Sequence, residues 1–348
     1  MTALQLESAL RRLDFMRRSS VSLGGQGCHK EWLHFCVLAG ELKLLINFSV
    51  CDDVFPVVDT RAEIARLTLL VHDGMTWHGC VDTCDEASEI VGGQPEMHLG
   101  ENYVRLGERG YEIVARSRDG EIEIELLLVP RVNPAIAPNI PLTQGPPLHW
   151  TVVPHLRAEG RVRIGGHERR VANAAAYHDH NWGEFAWGHD LSWEWGFAIP
   201  DDPSVPWTFA CVRLSNRART HTIAQGIFLW HGARHLRTYR DDDLRVESSP
   251  EFFAVSPPIF KVPPAMRLVW PEQRSDVPRR HRMRASVGDE WLEFEFEPSA
   301  LAQVVIPTEV GLGVTVINEV HGGFHVRGRV AARPIDHHAE GFFEFLSA

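Results

Sequence analysis

No stretch of this chain approaches the ~18 consecutive apolar residues that a membrane-crossing helix requires, so the sequence predicts no helical span. Positive charge is in deficit as well. Lys and Arg number 35 against 46 Asp and Glu, a formal charge of −11. A nucleic-acid backbone is thereby excluded as the main partner, because neutralising phosphates takes clustered Lys and Arg. A neutral apolar ligand stays compatible. Cysteine is sparse: Cys28, Cys36, Cys51, Cys80, Cys84 and Cys211 show no paired zinc-site spacing, and the pattern reads as reduced, mostly buried thiols of a cytosolic protein. The first 20 residues carry Arg11, Arg12, Arg17 and Arg18 without an apolar core, so no secretory signal is expected there. The Gly-x-Ser-x-Gly elbow of serine hydrolases is missing. The one glycine run, Gly24-Gly25-Gln26-Gly27, lacks the strand, helix and Lys that would make it a phosphate loop. After about residue 18, helical periodicity is missing too.

The chain does have the bulk of a soluble globular protein, 348 residues with 44% hydrophobic and 23% charged, enough for two domains. Residues 3–18 read as a short amphipathic helix, with Leu6, Ala9, Leu10, Leu13 and Met16 on one side. Strand signals follow. Residues 33–38 and 42–50 form a hairpin, and 62–71 and 76–81 flank an Asp73-Gly74 turn. Glu121, Glu123 and Glu125 alternate with Ile122, Ile124 and Leu126, the mark of a sheet with one wet and one dry face. A proline-rich segment, 130–147, reads as a long loop, and 148–154 and 160–164 return as strands. The second half repeats the style with strands at 193–199, 207–214, 222–230, 266–270, 280–286, 291–296, 310–317, 324–330 and 341–345. Many short strands imply an all-β fold of sandwiches or closed barrels. Glu31-Trp32-Leu33-His34-Phe35 and Trp193-Glu194-Trp195-Gly196-Phe197 open the two strand series in a similar way, a hint of duplication.

Near the middle lies the densest chemistry. Tyr177 to Phe197 holds three histidines, four acids and four of the 11 tryptophans in 21 residues. If 177–182 is extended, Tyr177, Asp179 and Asn181 share one face and His178, His180 and Trp182 the other. Adding water to an alkene, or cyclising one, needs an acid that protonates carbon and walls that tolerate a cation. A buried carboxyl supplies the first, and indole faces the second, at ~1–2 kcal/mol when water is excluded. Asp179 is the leading acid, followed by Glu194 and Asp190. His178 and His180 would orient it or handle water, and Trp182, Trp187, Trp193 and Trp195 would line a cavity. The same residues also suit a structural linker, since Asp and Asn before Gly often tie turns. His178-x-His180 with Glu184 matches part of a cupin metal motif, but Ala172 and Leu191 stand where its glycines belong. No metal and no cofactor are expected. His231, His235, His337 and His338 read as solvated loop residues, and His34, His78 and His98 as candidates for a barrel interior.

Tyr177-His178-Asp179-His180-Asn181-Trp182-Gly183 resembles the signature of the carotenoid hydratase/AttH family of lipocalin-like proteins. Glu31-Trp32-Leu33-His34-Phe35 resembles that family's first-strand motif, with Leu33 in place of the commoner aromatic. His149-Trp150 to Arg163, followed by Gly165-Gly166, resembles the strands before the signature. The resemblance implies two tandem lipocalin-like antiparallel β-barrels after a short N-terminal helix, spanning 1–22 (arm), 23–183 and 184–348. It also implies an apolar cavity near their junction, with Trp32 and Tyr177 to Trp182 among its binding residues. Some members hydrate the terminal double bond of acyclic carotenoids, and relatives include fungal enzymes that guide Diels–Alder cyclisation. The expected partner is an apolar small molecule, an isoprenoid, polyene or polyketide, with pericyclase and non-catalytic carrier as alternatives. The chain is expected in the cytoplasm, where a peripheral membrane contact stays open.

Overall fold

Two antiparallel sheets account for most of the chain in the computed structural model, which describes residues 3–17, 29–55, 60–83, 88–90, 92–255, 258–271 and 274–347. Cys28, Cys84 and the Gly24–Gly27 run lie outside the described residues. The chain divides into two compact units. The first comprises Met1–Ile140, Gln144–Trp187 and Glu309–Gly311; the second comprises Pro141–Thr143, Gly188–Thr308 and Leu312–Ala348. The fold is all-β and lipocalin-like, two curled antiparallel sheets with one short N-terminal helix.

In the first unit the helix α1 (Ala3–Leu13) precedes β1 (His29–Ala39), β2 (Leu42–Phe55), β3 (Thr60–His72), β4 (Trp77–Thr83), β5 (Ser88–Ile90) and β6 (Glu96–Leu99). There follow β7 (Asn102–Leu106), β8 (Tyr111–Arg116), β9 (Ile122–Pro130), β10 (Ala135–Ile140), β11 (Leu148–Ile164) and β12 (His167–Glu184). The strands run in the order β4-β3-β2-β1-β12-β11-β9-β8-β7-β6-β5. The first strand therefore sits between the second and the last. The alternation read at Glu121–Leu126 is present: Ile122, Ile124 and Leu126 are buried, while the glutamates pair outward with arginines such as Arg161 and Arg163.

The second unit carries β13 (Ser192–Pro200), β14 (Trp207–Ser215), β15 (Thr222–His231), β16 (Arg234–Arg240), β17 (Leu244–Ser248), β18 (Phe260–Val262), α2 (Met266–Val269), β19 (His281–Val287), β20 (Glu290–Pro307), β21 (Val314–Val330) and β22 (Arg333–Ser347). Its order, β16-β15-β14-β13-β22-β21-β20-β19-β17, again sets the first strand between the second and the last. Glu31-Trp32 on β1 and Glu194-Trp195 on β13 thus occupy matching places in two sheets of the same plan. Phe209, Phe294, Phe296, Phe324, Phe343 and Phe345 fill the second unit's core, each worth ~1.5–3 kcal/mol of burial. Where β22 pairs with β13, a Cβ at Gly341 would lie 1.9 Å from the Phe197 carbonyl oxygen, so only glycine fits.

Several expectations are corrected. The helix stops at Leu13 instead of reaching residue 18, and residues 14–17 continue as irregular chain. The segment 266–270 is a helical turn and not a strand. Pro263 and Pro264 preset φ and donate no N–H, and the amides of Met266, Arg267 and Leu268 turn back to the carbonyls of Pro263, Pro264 and Ala265. The proline-rich loop contains β10, which pairs with β11; Pro138 falls where that ladder breaks between Ala137 and Ile140, a place where a missing N–H costs nothing. The strands expected at 148–154 and 160–164 are one strand, β11, as are the later two in β21, which starts only at Val314. His231, His235, His337 and His338 lie on strands, not in loops. Cys36, Cys51, Cys80 and Cys211 are buried thiols, with no disulfide among the described residues. Among the described residues no helix is long and apolar enough to cross a membrane.

Candidate active site

Residues 177–182 are extended on β12, flanked by β1 and β11, so side chains alternate between the two faces of the first sheet. Register sets Glu31, Leu33 and Phe35 beside Trp182, His180 and His178 on one face. The other face carries Trp32, His34 and Cys36 beside Asn181, Asp179 and Tyr177. The His178 face is the concave one, because Tyr111, three strands away on β8, reaches the same cluster.

The concave cluster centres on Asp14, just beyond α1. Its carboxylate accepts hydrogen bonds from Tyr111 Oη at 2.5 Å, His178 Nε2 at 2.9 Å and His180 Nδ1 at 3.1 Å. His178 Nδ1–H donates to the His34 carbonyl at 2.9 Å. His180 Nε2 lies 2.8 Å from Glu31 Oε1, which also accepts the Arg17 backbone N–H at 2.7 Å, and His29 lies 3.1 Å from Glu31 Oε2. Burial pulls the His180 imidazole towards neutrality, but hydrogen bonds to Asp14 and Glu31 and the charge of both outweigh it and lift its pKa to about 9. Burial raises both carboxyls, yet the histidines hold Asp14 well below the usual range and Glu31 down to about 2. The His180 ring is therefore an imidazolium between the Asp14 and Glu31 carboxylates, sealed from water. Phe35 stacks on His178 at 4.2 Å, and Arg17 lies over the Trp182 ring at 4.1 Å, with His149 stacked 5.1 Å from the same ring. With both nitrogens of each histidine engaged and Glu184 exposed, the cupin-like spacing does not assemble into a cupin site. No group of three His, Cys, Asp or Glu among the described residues has the arrangement to hold a metal ion.

On the opposite face Asp179 is buried and accepts a hydrogen bond at each oxygen, from Tyr177 Oη at 2.8 Å and from Asn181 Nδ2 at 2.8 Å. Its cross-strand neighbour His34 bonds Asn47 Nδ2 at 3.3 Å and Cys36 Sγ at 3.2 Å. Burial, with the nearby His178, depresses the His34 pKa to about 3, so this imidazole is neutral. Trp32, Asn47 and Asn181 are only half-buried, which makes this the more open edge of the motif. Trp32 meets Phe185 edge-on at 6.3 Å, and Phe185 meets Trp187 at 5.2 Å. The Trp187 backbone N–H donates to Glu309 Oε2 at 2.6 Å, and Glu309 Oε1 lies 3.0 Å from the buried Lys30 ammonium.

The candidate residues thus fall into separate groups. Tyr177, Asp179, Asn181 and Trp32 share one face of the first sheet, and His178, His180 and Trp182 share the other. Asp190, Trp193, Glu194 and Trp195 belong to the second unit. There Asp190 is exposed and accepts the Arg217 N–H at 2.8 Å. Glu194 is buried against Arg213 at 3.0 Å, Trp193 Nε1 donates to Glu344, and Trp195 is buried beside Phe197. Asp14, Tyr111 and His281 escaped the sequence reading. The available signal was Asp14 itself, an acid four residues after the buried Leu10 on the apolar side of the helix.

No family model and no curated protein sequence matches the chain. Solved structures do. An AttH-like protein from Nitrosomonas europaea superposes with a TM-score of 0.62 at 12% identity, covering 91% of each chain. Kievitone hydratase from Nectria haematococca gives 0.56 at 14% identity over 97% of each chain. CghA, a Diels-Alderase, gives 0.53 at 13% identity over 92% of this chain and 88% of its own. At such identities the likeness shows a shared fold, the one the signature resemblance implied.

Proposed function

We propose that the chain is an enzyme of hydratase or cyclase type, acting on an unsaturated, largely apolar small molecule of isoprenoid, polyene or polyketide kind. The observation that carries the reading is Asp179, a buried carboxyl bonded to Tyr177 and Asn181 on one face of β12 while the histidines beside it are clamped from the other face. The fold shared with a hydratase and a cyclase supports the reaction class. In the hydration reading, the Asp179 carboxyl passes a proton to an alkene carbon, water oxygen bonds to the resulting cation, and the water's surplus proton returns to Asp179. Tyr177 and Asn181 hold the two carboxyl oxygens in place throughout, and Trp32 offers the cation an aromatic face. In cyclisation a second alkene of the same molecule replaces water as the nucleophile, and the new ring cation loses a C–H proton to the Asp179 carboxylate, which leaves an alkene and restores the acid.

A pericyclase is the second reading, favoured by the likeness to CghA. There the same hydrogen bonds would polarise the substrate while the pocket folds it, with no proton delivered to carbon. Mass analysis after incubating the purified protein with acyclic carotenoids and polyenes in heavy water separates the two. Deuterium on carbon in a new product, lost in Asp179→Asn, is expected for hydration or acid cyclisation. An isomer without deuterium supports the pericyclase. Saturable tryptophan quenching with no product for any member of the panel overturns both and leaves a carrier.

A further inference from the structure

Asp179 lies in a row of cross-strand neighbours that changes character at the acid itself. Register sets Thr68 on β3, Asn47 on β2, His34 on β1 and Asp179 on β12 side by side on one face of the first sheet. The row continues through Val152 on β11 and Ala135 on β10, both buried. One side of the acid is therefore polar and the other apolar. Exposure follows the same gradient, since Asp179 and His34 are buried while Asn47 and Thr68 are half-buried.

The His34 ring sets the direction of the Asn47 amide. Burial, with His178 nearby, keeps His34 neutral. Its Nδ1 accepts from Asn47 Nδ2 at 3.3 Å, which leaves Nε2–H facing Cys36 Sγ at 3.2 Å. With its amino group turned to the ring, the amide points Oδ1 elsewhere. Neither Asn47 Oδ1 nor Thr68 Oγ1 makes a side-chain hydrogen bond among the described residues, and both belong to half-buried residues. Water satisfies such atoms at little cost. Asn181 stands beside Asp179 as well, but its own cross-strand neighbours are Trp32 and Trp150, which shed water.

Adjacent strands lie about 4.8 Å apart, so two spacings put the Asn47 and Asp179 backbones about 10 Å from each other. That span has room for the two carbons of an alkene and one water above the His34 ring. We propose that Asn47 Oδ1, at the end of this polar row, holds the water that attacks the cation formed by Asp179. This role rests on the hydration reading of Asp179 and narrows it to one nucleophile. One alkene carbon takes the Asp179 proton, its neighbour bonds to the water oxygen, and the water's surplus proton ends on the Asp179 carboxylate. Held in place, the water reaches the cation before a second alkene does, so the product is an alcohol and not a ring. Asn47 touches the water and acts as a positioning residue, with His34 fixing its amide.

The test incubates the full-length protein with the panel of acyclic carotenoids and polyenes in heavy water enriched in oxygen-18. Mass analysis reads deuterium on carbon and oxygen-18 in the hydroxyl separately. Wild type is expected to give an alcohol carrying both labels. Asn47→Leu should lower the ratio of alcohol to deuterated hydrocarbon about tenfold, the equivalent of one hydrogen bond, while total deuterium uptake falls less than about threefold. Thr68→Val, which keeps the side chain's shape, should lower the same ratio about threefold, and it decides the matter if Asn47→Leu does not fold. A ratio that neither variant moves overturns the proposal and leaves Asn47 as a support for His34. Deuterium uptake that falls as far as the alcohol in Asn47→Leu also overturns it, because the residue then acts through Asp179. Deuterated hydrocarbon without alcohol from wild type overturns the water site alone. No deuterated product from wild type overturns the hydration reading of Asp179 and the water site with it.

Discussion

Asp14→Asn isolates the charge at the centre of the first unit's polar cluster. The substitution keeps the shape and an oxygen acceptor but removes the anion facing His178 and His180. Breaking a buried ion pair from one side costs ~3–5 kcal/mol, and that loss is expected in the unfolding free energy at pH 6. Its pH dependence follows from His180. The folded pKa is raised from 6.5 to about 9, so the stabilisation is complete below pH 6.5 and disappears as pH rises through 9. A rise of that size corresponds to about 3 kcal/mol at 1.36 kcal/mol per pKa step. Asp14 shares the effect with Glu31, so roughly half belongs to each by this reckoning. The gap between wild type and Asp14→Asn should therefore narrow by about 1–2 kcal/mol between pH 6 and pH 10. His34 and His155, neutral with pKa values depressed to about 3 and about 4 by burial, weaken the fold below pH 6.5. They do so in both proteins, so the difference cancels them. Urea unfolding at pH 6, 8 and 10 measures it, with Leu10→Ala as an uncharged control whose ~2–5 kcal/mol loss should not vary with pH. An Asp14→Asn gap of constant size across that range would refute the charge argument and leave Asp14 as an ordinary acceptor.

In the other unit, Gly341→Ala should cost about 3 kcal/mol or more by urea unfolding, because its Cβ would strike the Phe197 carbonyl. Gly232→Ala, at φ +57° with open space around it, should cost only ~1 kcal/mol. Glu309→Gln should lower stability by ~3–5 kcal/mol by removing the anion beside Lys30, and adding Lys30→Met should recover most of it. On a turned-over substrate, Asp179→Asn should reduce kcat by ~10²–10⁴-fold with little change in KM, and Tyr177→Phe by ~10–100-fold, the equivalent of one hydrogen bond to a charged group.

Period-2 alternation was readable wherever one face is wet, as at Ile122–Leu126, because water and core sort neighbouring side chains there. The extended conformation of Tyr177–Trp182 followed from the same rule, and with it the separation of Asp179 from His178 and His180. What those histidines do was not readable. Their partners, Asp14 and Glu31, lie 164 and 149 positions away in the chain from the atoms they meet, and no local pattern announces such an encounter. Local turn chemistry also overrode apparent strands: Met266–Val269 is apolar enough for a sheet, but two preceding prolines wind it into a helical turn. Glu194 and His281 show the same limit, since only the curl of a whole sheet brings β13 and β19 face to face.

The placement of first strands beside last ones sets an order of events on the ribosome. β1 is made before the other strands, yet one of its two neighbours, β12, ends at Glu184, so β1 waits half-paired for most of the first unit's synthesis. Lys30 waits longer, because Glu309 is 125 residues further on, a delay of roughly 6–25 s at ~5–20 residues per second. During that interval the nascent first unit holds a complete sheet but lacks one of its buried countercharges. A slow stretch of codons between 184 and 309 would lengthen the time that Lys30 stands without this countercharge.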